Sequence, residues 1–228
     1  MRTPLSSFAL LAVLIIGCAG PEHGSHGDHH GRAAHSDHMH HDFSDAERWA
    51  KVFDDPARDE WQRPLEVVRV CDLRPGMVVA DIGAGTGYFV PHLATAVGRT
   101  GEVLALDIEQ SLIDHMSARF AAAEISNASA RVIPTDDPGL APGSVDRVLI
   151  VNTWHHIGAR VEYSKKLARG LRPGGRVLVV DYTMDAPHGP PKRHRMPASA
   201  VIAELEAAGF TAREAETTLP YQYVVVGE

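Results

Sequence analysis

Positive charge is scarce in this sequence and is nowhere gathered over a long stretch. Lys and Arg number 22 against 29 Asp and Glu, which gives a formal net charge of −7. Because a nucleic-acid partner requires a clustered basic face that neutralises phosphates, this balance argues against nucleic-acid binding. The dense basic stretch PKRHR at residues 191–195 is short and is interpreted as a solvated loop.

The N terminus lacks an apolar run long enough to cross a bilayer. The run from Phe8 to Ile16 follows Arg2, and this layout is typical of a cleaved export signal. It ends in IIGC, in which Gly17 precedes Cys18, and this stretch resembles the lipobox of bacterial lipoproteins. The resemblance implies a signal peptide over residues 1–17 and a Cys18 that carries more than one acyl chain, which is enough for stable membrane anchoring.

The expected location is therefore the cell envelope, with the protein attached by lipid. Ala19, rather than Asp, follows the cysteine, and by the bacterial sorting pattern this indicates the periplasmic side of the outer membrane. Two alternatives stay open. The segment is an ordinary signal peptide with an incidental cysteine, or the signal is used inefficiently and leaves a cytoplasmic pool.

Cysteine is nearly absent. If Cys18 is lipidated, Cys71 is the sole remaining thiol and no disulfide can form within the chain. Its apolar neighbours in EVVRVCDL predict a buried packing residue rather than a reactive one.

The segment after the lipobox has almost no large apolar side chains. Residues 21–43 hold eight of the 14 histidines, so they cannot form a core, and residues 18–43 are predicted to be a tether. Neutral imidazoles at this density bind zinc, copper or nickel, with nearby aspartates as further ligands. Since no ligand spacing is repeated, we expect weak and exchangeable binding, by His23, His26, His29, His30, His35, His38, His40 and His41.

From Ser44 onward the sequence has the pattern of a folded domain. Residues 44–76 predict a helical cap made of three helices, in SDAERWAKVF, DDPARDEWQRP and LEVVRVCDL, placed over the ligand end of the domain or at its edge. Residues 77–228 alternate strands with helices. This alternation predicts an α/β fold, a doubly wound, Rossmann-like, seven-stranded and mostly parallel sheet with helices on both faces and ligands at the carboxyl ends of the strands.

The expected strands and helices follow from apolar runs and helical periodicity. The strands are MVVADIG, EVLALDI, ARVIP, VDRVLIVN, RVLVVDY, TAREAETT and YQYVVVG, and the helices are YFVPHLATAVG, EQSLIDHMSARFAAA, RVEYSKKLARGL and SAVIAELEAAGF.

The glycine loop after the first strand distinguishes between cofactors. A dinucleotide fingerprint requires a sixth-place glycine, and Tyr88 stands there. The loop instead reads DIGAGTG, with Gly83, Gly85 and Gly87 at alternate positions, so the backbone can approach a ligand without a Cβ in the way. This loop, with ALD ending strand two and LRPGG before strand five, resembles class I S-adenosylmethionine-dependent methyltransferases over Ser44 to Glu228.

That resemblance implies S-adenosylmethionine as the cofactor and gives each cofactor contact a position. Asp81 would hold the loop and the methionine ammonium, and Asp107 would accept both ribose hydroxyls. Ile108 would pack on the adenine, whose amine would be accepted by Asp136 or by Asp137, a choice that stays open. The remaining expected contacts are Gly83, Ala84, Gly85, Thr86, Gly87 and Asn152.

The acceptor side is expected to begin after strand four, in VNTWHHIG. Methyl transfer from a sulfonium needs chiefly alignment and the exclusion of water, so a base is optional. A neutral histidine can deprotonate a hydroxyl or amine, and His155 and His156 are the candidates. Tyr182 and the insertion APHGPPKRHRM, with His194 and Arg195, are expected to form part of the acceptor wall.

The class of acceptor is indicated only by a motif that the sequence lacks. The sequence has no NPPY-type motif of nucleic-acid amino-methyltransferases, which favours a small-molecule acceptor. The alternative function is a metal-binding lipoprotein whose methyltransferase-like domain does not turn over. It is suggested by the His-rich tether and by the scarcity of the methyl donor outside the cytoplasm.

Overall fold

The computed structural model describes residues 45–228. The predicted signal peptide, Cys18 and the eight candidate metal-ligating histidines lie outside these residues. Within them, no helix has both the length and the apolar character needed to cross a membrane.

Seven strands and seven α-helices make up the described chain. The cap consists of α1 (Ala46–Phe53), α2 (Arg58–Gln62) and α3 (Pro64–Val70), and the helices of the main domain are α4 (Val90–Val97), α5 (Gln110–Ala122), α6 (Arg160–Gly170) and α7 (Ala198–Ala207). The strands are β1 (Val78–Ile82), β2 (Glu102–Asp107), β3 (Ala128–Val132), β4 (Val145–Val151), β5 (Leu171–Tyr182), β6 (Ala212–Glu214) and β7 (Gln222–Gly227). Short 3-10 turns cover Trp154–His156 and Lys192–His194.

The strands form one sheet in the order β3-β2-β1-β4-β5-β7-β6. Neighbouring strands from β3 to β5 are parallel, and β7 runs antiparallel to both of its neighbours. The predicted fold is confirmed. The order changes direction between β1 and β4, and the carboxyl ends of these two strands are therefore where a doubly wound sheet binds its ligand.

Each face of the sheet carries its own hydrophobic cluster, because successive strand residues point to opposite faces. Val79 of β1 packs in a cluster with Leu93 of α4 and Met116 of α5, whereas its neighbour Ala80 packs in a cluster with Leu167 of α6. Burial on both faces explains why the strands read as continuous apolar runs.

Cys71 lies within the first of these clusters and is completely buried. Desolvation raises the pKa of its thiol to about 12, so the group stays protonated and unreactive at neutral pH.

Three strands differ in extent from the prediction. β3 begins and ends two residues earlier, in register with β2, where Val132 pairs with Asp107. β5 includes the LRPGG stretch that was expected to precede it, since Leu171 pairs with Val145 before the register shifts and Arg176 pairs with Arg147. β6 is short, because the chain beyond it turns toward α3, where the Glu66 carboxylate accepts the Thr218 N–H at 2.7 Å.

Candidate cofactor and acceptor site

The glycine loop lies at the carboxyl end of β1 and is bonded to β2. The N–H groups of Gly83 and Ala84 donate to the Leu106 carbonyl at 2.8 and 3.1 Å. Gly83 has a φ of +70°, and a Cβ there would lie 2.3 Å from Thr153 Oγ1. Only glycine meets both constraints, so the loop packs directly against the residues that follow β4.

Asp107 closes the same loop from the side of β2. Its carboxylate accepts N–H groups from Gly85 at 2.8 Å, Ile108 at 2.8 Å and Glu109 at 3.2 Å. Burial raises the pKa of Asp107, and these three donors act against that rise. Ile108 beside it is 47% exposed, so an apolar surface stands next to a buried carboxylate, as a nucleoside site requires.

Asp81 is the most strongly perturbed carboxyl of this edge. It lies near the carboxyl end of β1 and is 2% exposed. Burial, followed by the charge of Asp107, raises the pKa of Asp81 to about 7, and the Arg58 guanidinium opposes the rise. Two neighbouring carboxylates with so little compensating charge fit a cationic ligand, since a positive group would favour ionisation of both.

Helix α1 and the turn after it reach this loop from the cap. Phe53 approaches the position of a Cβ on Gly85 at 3.5 Å. The Thr86 hydroxyl donates to Asp54 at 2.9 Å, and Arg119 of α5 donates to Asp54 at 2.8 Å and to the Thr86 carbonyl at 3.0 Å. These bonds attach the cap to the loop at the predicted cofactor end.

Arg58 of α2 places a buried positive charge beside the loop. Its guanidinium donates to the Phe53 carbonyl at 2.8 Å and to Gln62 Oε1 at 3.1 Å, and its Cζ lies 4.0 Å from the centroid of the Tyr88 ring. Desolvation lowers the pKa of Arg58 from its usual value. An ion-to-ring contact in a desolvated setting is strong, so this side chain is held in place.

Asn152 follows β4 with a φ of +55° and joins a buried set of amides. Its Nδ2 donates to Gln62 Oε1 at 3.3 Å, its Oδ1 accepts from Gln222 Nε2, and Gln62 Nε2 donates to Gln222 Oε1. Gln62 is fully buried. The amide triad connects the cap, the end of β4 and the start of β7 at one point, and the cofactor contact expected of Asn152 stays a prediction.

The two candidate catalytic histidines have different surroundings. His155 Nδ1 lies 2.9 and 3.0 Å from the two carboxylate oxygens of Asp181, and these side chains are 4% and 3% exposed. Since a carboxylate accepts, Nδ1 carries the proton and Nε2 is left as the acceptor. His156 lies with its ring centroid 4.2 Å from that of His155.

The 3-10 turn that carries both histidines is fixed by its first residue. The Trp154 indole is fully buried and donates to Glu204 Oε2 at 2.8 Å, while Arg160 donates to Glu204 Oε1 at 2.8 Å. With Thr153 against Gly83, the turn is held beside the glycine loop. His155 is therefore positioned at the same end of the sheet as the predicted cofactor contacts.

Asp136 and Asp137 lie in the loop after β3 and are held toward α6. Asp137 accepts the Gly139 N–H at 2.8 Å and lies 3.2 Å from Lys166 Nζ, which also donates to the Asp136 carbonyl at 2.6 Å. The Gly139 N–H and Lys166 lower the pKa of Asp137. Their proposed contact with an adenine amine stays a prediction, with neither residue favoured.

The insertion after β5 is organised by Arg195. Its guanidinium donates to the carbonyls of Pro190, Thr183, Met184, Ala186 and His188 at 2.7 to 3.3 Å. This side chain was expected to form part of the acceptor wall. In the structure it holds the backbone of the insertion together, and the contact with an acceptor stays a prediction.

Several site residues were not singled out from the sequence. Asp181 carries a signal like that of Asp107, because it is an acidic residue near the carboxyl end of an apolar strand. Gln62 and Gln222 carry none, since the amides that they bind across the site are distant along the chain. The ring contact of Arg58 with Tyr88 is equally distant in sequence. Within residues 45–228, no three His, Cys, Asp or Glu side chains are arranged to hold a metal ion.

Comparison with known proteins places this geometry in a class. Residues 79–175 match the family described as a methyltransferase domain. A probable S-adenosylmethionine-dependent methyltransferase of Mycolicibacterium smegmatis is 29% identical over 70% of this chain and 61% of its own length. The ubiquinone/menaquinone biosynthesis C-methyltransferase UbiE of Ectopseudomonas mendocina is 30% identical over 54% of this chain and 48% of its own length.

A solved structure agrees with the sequence matches. The crystal structure of a SAM-dependent methyltransferase from Aquifex aeolicus superposes with a TM-score of 0.75 at 25% identity, covering 82% of this chain and 98% of that one. This chain spans between 33% and 61% of the full length of three such relatives. The matches support the methyltransferase class and the S-adenosylmethionine cofactor predicted for the domain.

Proposed function

We propose that this protein transfers the methyl group of S-adenosylmethionine to a small-molecule acceptor. One observation carries the proposal: the glycine loop is held against the buried carboxylate of Asp107 at the point where the strand order of the sheet reverses. Such a switch point is where doubly wound sheets bind nucleotide ligands. The family match and the relatives support the same reaction class.

The residues at this edge fit the cofactor. Asp107 would accept the ribose hydroxyls, the exposed Ile108 would cover the adenine, and Asp81 would face the methionine ammonium, whose charge offsets the excess of carboxylates. The cofactor supplies an electrophilic methyl group on a sulfonium, which reacts by in-line displacement. The chain has to align the acceptor and exclude water, and the cap placed over the loop is suited to this.

We further propose that His155 is the general base for an acceptor that loses a proton. The Asp181 carboxylate holds the imidazole through Nδ1 and stabilises the imidazolium formed when Nε2 takes the proton. The bond to Asp181 makes His155 the favoured member of the pair. An acceptor that needs no deprotonation would not require this step.

The proposal is tested by calorimetric titration of the full chain with S-adenosylmethionine. Asp107→Ala should weaken binding by about 1 to 3 kcal/mol, because the ribose hydroxyls lose a charged acceptor. The control is Asp114→Ala, which removes an exposed carboxylate of α5 that is bonded only locally, to Gln110. Absence of binding by the wild-type chain would overturn the proposed function.

We also propose that the protein is exported and anchored by lipid at Cys18. The support is the sequence of residues 1–18 alone. A fatty acid supplied in the growth medium should label the wild-type chain and leave Cys18→Ser unlabelled, and only the wild type should fractionate with the outer membrane. An unlabelled, uncleaved wild-type protein in the cytoplasm would contradict this location.

A further inference from the structure

Three aromatic rings from separate parts of the chain surround one imidazole. Trp61 belongs to α2, Tyr182 ends β5 and Tyr221 precedes β7, and the ring centroid of His188 in the insertion lies 4.5, 5.8 and 5.1 Å from theirs. The interplanar angles of 63°, 87° and 83° make each contact edge to face. Edge-to-face packing is an arrangement that aromatic rings prefer. We call the three rings of Trp61, Tyr182 and Tyr221 the aromatic box.

One nitrogen of the imidazole in the box lacks a polar partner among the described residues. His188 Nε2 is buried and makes no hydrogen bond to any residue of the described chain. Burial, followed by the charge of Arg195, lowers the pKa of His188, so the ring is neutral at pH 7. Hydrogen bonding at Nε2 therefore does not hold this ring in the box. The edge-to-face contacts of the planar imidazole with the three aromatic rings hold it there.

The box opens to a cavity and is connected to the glycine-loop end of the sheet by Arg58. Trp61, His188 and Tyr221 line a cavity of about 400 Å³. Arg58 Cζ lies 5.9 Å from the centroid of the Trp61 ring and 4.0 Å from that of Tyr88, which directly follows the loop. A ring seated in the box would thus lie near the cofactor end of the sheet, on the side of the cap.

The charges around the box indicate whether it is suited to a neutral aromatic ligand or to a cationic one. Arg58 Cζ lies 5.9 Å from the Trp61 ring, and Arg195 donates to the His188 carbonyl at 3.0 Å. Glu60 is an acidic residue in the cavity lining. The two guanidinium groups near the box outnumber the Glu60 carboxylate, so they disfavour a cationic ligand and favour a phenol whose oxygen becomes negative as its proton is lost.

We propose that the aromatic box binds the planar ring of a phenolic methyl acceptor, and that His188 fills the box while the acceptor is absent. The inference deepens the proposed function, on which it rests, by naming the class of acceptor. The ring would displace His188 by movement of residues 187–190. Gly189 permits the closed arrangement, because it has a φ of +98° and a Cβ there would lie 2.8 Å from the Tyr182 ring.

The test is binding of 4-fluorophenol to the full chain, followed by fluorine NMR. His188→Ala removes the imidazole, and Gly189→Ala dislodges it by collision with Tyr182. Each should tighten 4-fluorophenol binding about tenfold, because the box is then open in most molecules. His194→Ala is the matched control, since it removes another insertion histidine with a buried, unpartnered Nε2 that is not in the box, and it should bind as the wild type does.

A double variant and a second ligand identify the site and the ligand class. Trp61→Ala, added to His188→Ala, should abolish the gain in affinity for 4-fluorophenol. The non-planar 4-fluorocyclohexanol should bind no tighter to His188→Ala than to the wild type. An unchanged affinity for 4-fluorophenol in both opened variants would overturn the proposal, as would displacement of the phenol by tetramethylammonium. Titration of the same variants with S-adenosylmethionine separates the two hypotheses. A phenol gain without cofactor binding would reject the proposed function and keep the box.

Discussion

Asp81→Asn should stabilise the protein without ligand and should impair cofactor binding. The pKa of Asp81 rises from 3.8 to about 7 on folding, which corresponds to about 4 kcal/mol of native-state free energy spent on keeping the ionised carboxylate at pH 8. Asparagine has nearly the same shape and no charge. The pKa of about 7 already includes the attraction to Arg58. Because a buried amide without hydrogen-bond partners carries a cost of its own, the net gain in the free energy of unfolding should be about 1 to 3 kcal/mol.

The pH dependence follows from the direction of the shift. A raised pKa means that the folded state binds the proton more tightly than the unfolded chain does. The stability that Asp81 contributes is therefore fully present below pH 3.8 and is lost as the pH rises to about 7. The advantage of Asp81→Asn should be greatest at pH 8 and should fall to less than half of that value at pH 5.

Urea unfolding at pH 5 and pH 8, without cofactor, measures both effects. Asp114→Asn, an exposed carboxylate exchanged in the same way, should change the free energy of unfolding by less than about 0.5 kcal/mol at either pH. Saturating S-adenosylmethionine should stabilise the wild type much more than Asp81→Asn. This account of Asp81 would be refuted if the variant were less stable than the wild type at pH 8. It would also be refuted if the two proteins differed in free energy of unfolding by the same amount at both pH values.

Three other changes test the loop, the base and the tether. Gly85→Val should abolish S-adenosylmethionine binding while the sheet stays folded, because Gly85 has a φ of +59° and the branched side chain would occupy ligand space; unchanged calorimetric affinity in a folded variant would show that the pocket lies elsewhere. With an acceptor that must lose a proton, His155→Ala should lower kcat about 100-fold or more and Asp181→Asn should follow it, whereas His156→Ala should cost far less; equal losses from both histidines would reject the assignment. Deletion of residues 21–41 should remove most zinc or copper binding and leave cofactor affinity unchanged, and a metal-dependent shift in cofactor affinity that vanishes with the deletion would favour the metal-binding alternative.

The sequence predicted those features that depend on neighbouring residues. Strands β1, β2 and β4 each contain a run of consecutive apolar residues, and the loop from Gly83 to Gly87 has a spacing that its backbone requires. Their signals are local, and the structure confirms these elements. The end of β6 was wrong because Glu66, far away in the chain, binds Thr218, and no local pattern records such a contact.

The same distinction holds within the candidate site. Asp107 and His155 could be proposed because each follows an apolar strand. The aromatic box could not, since Trp61, Tyr182 and Tyr221 are brought together only by the position of the cap on the sheet. Spacing along the chain says nothing about that position. Sequence reasoning was therefore more informative about the cofactor than about the acceptor.

Helix α2 shows why the cofactor could be predicted from the sequence more readily than the acceptor. Its few residues supply Arg58 beside Tyr88, Trp61 to the box and Gln62 to the amide triad, so one short helix contributes to three parts of the site. The cofactor end also depends on the loop and on Asp107, which the sheet itself positions. Substitution of Trp61 should consequently alter acceptor binding while S-adenosylmethionine binding persists. Substitution of Arg58 should affect both, because its charge also acts on Asp81.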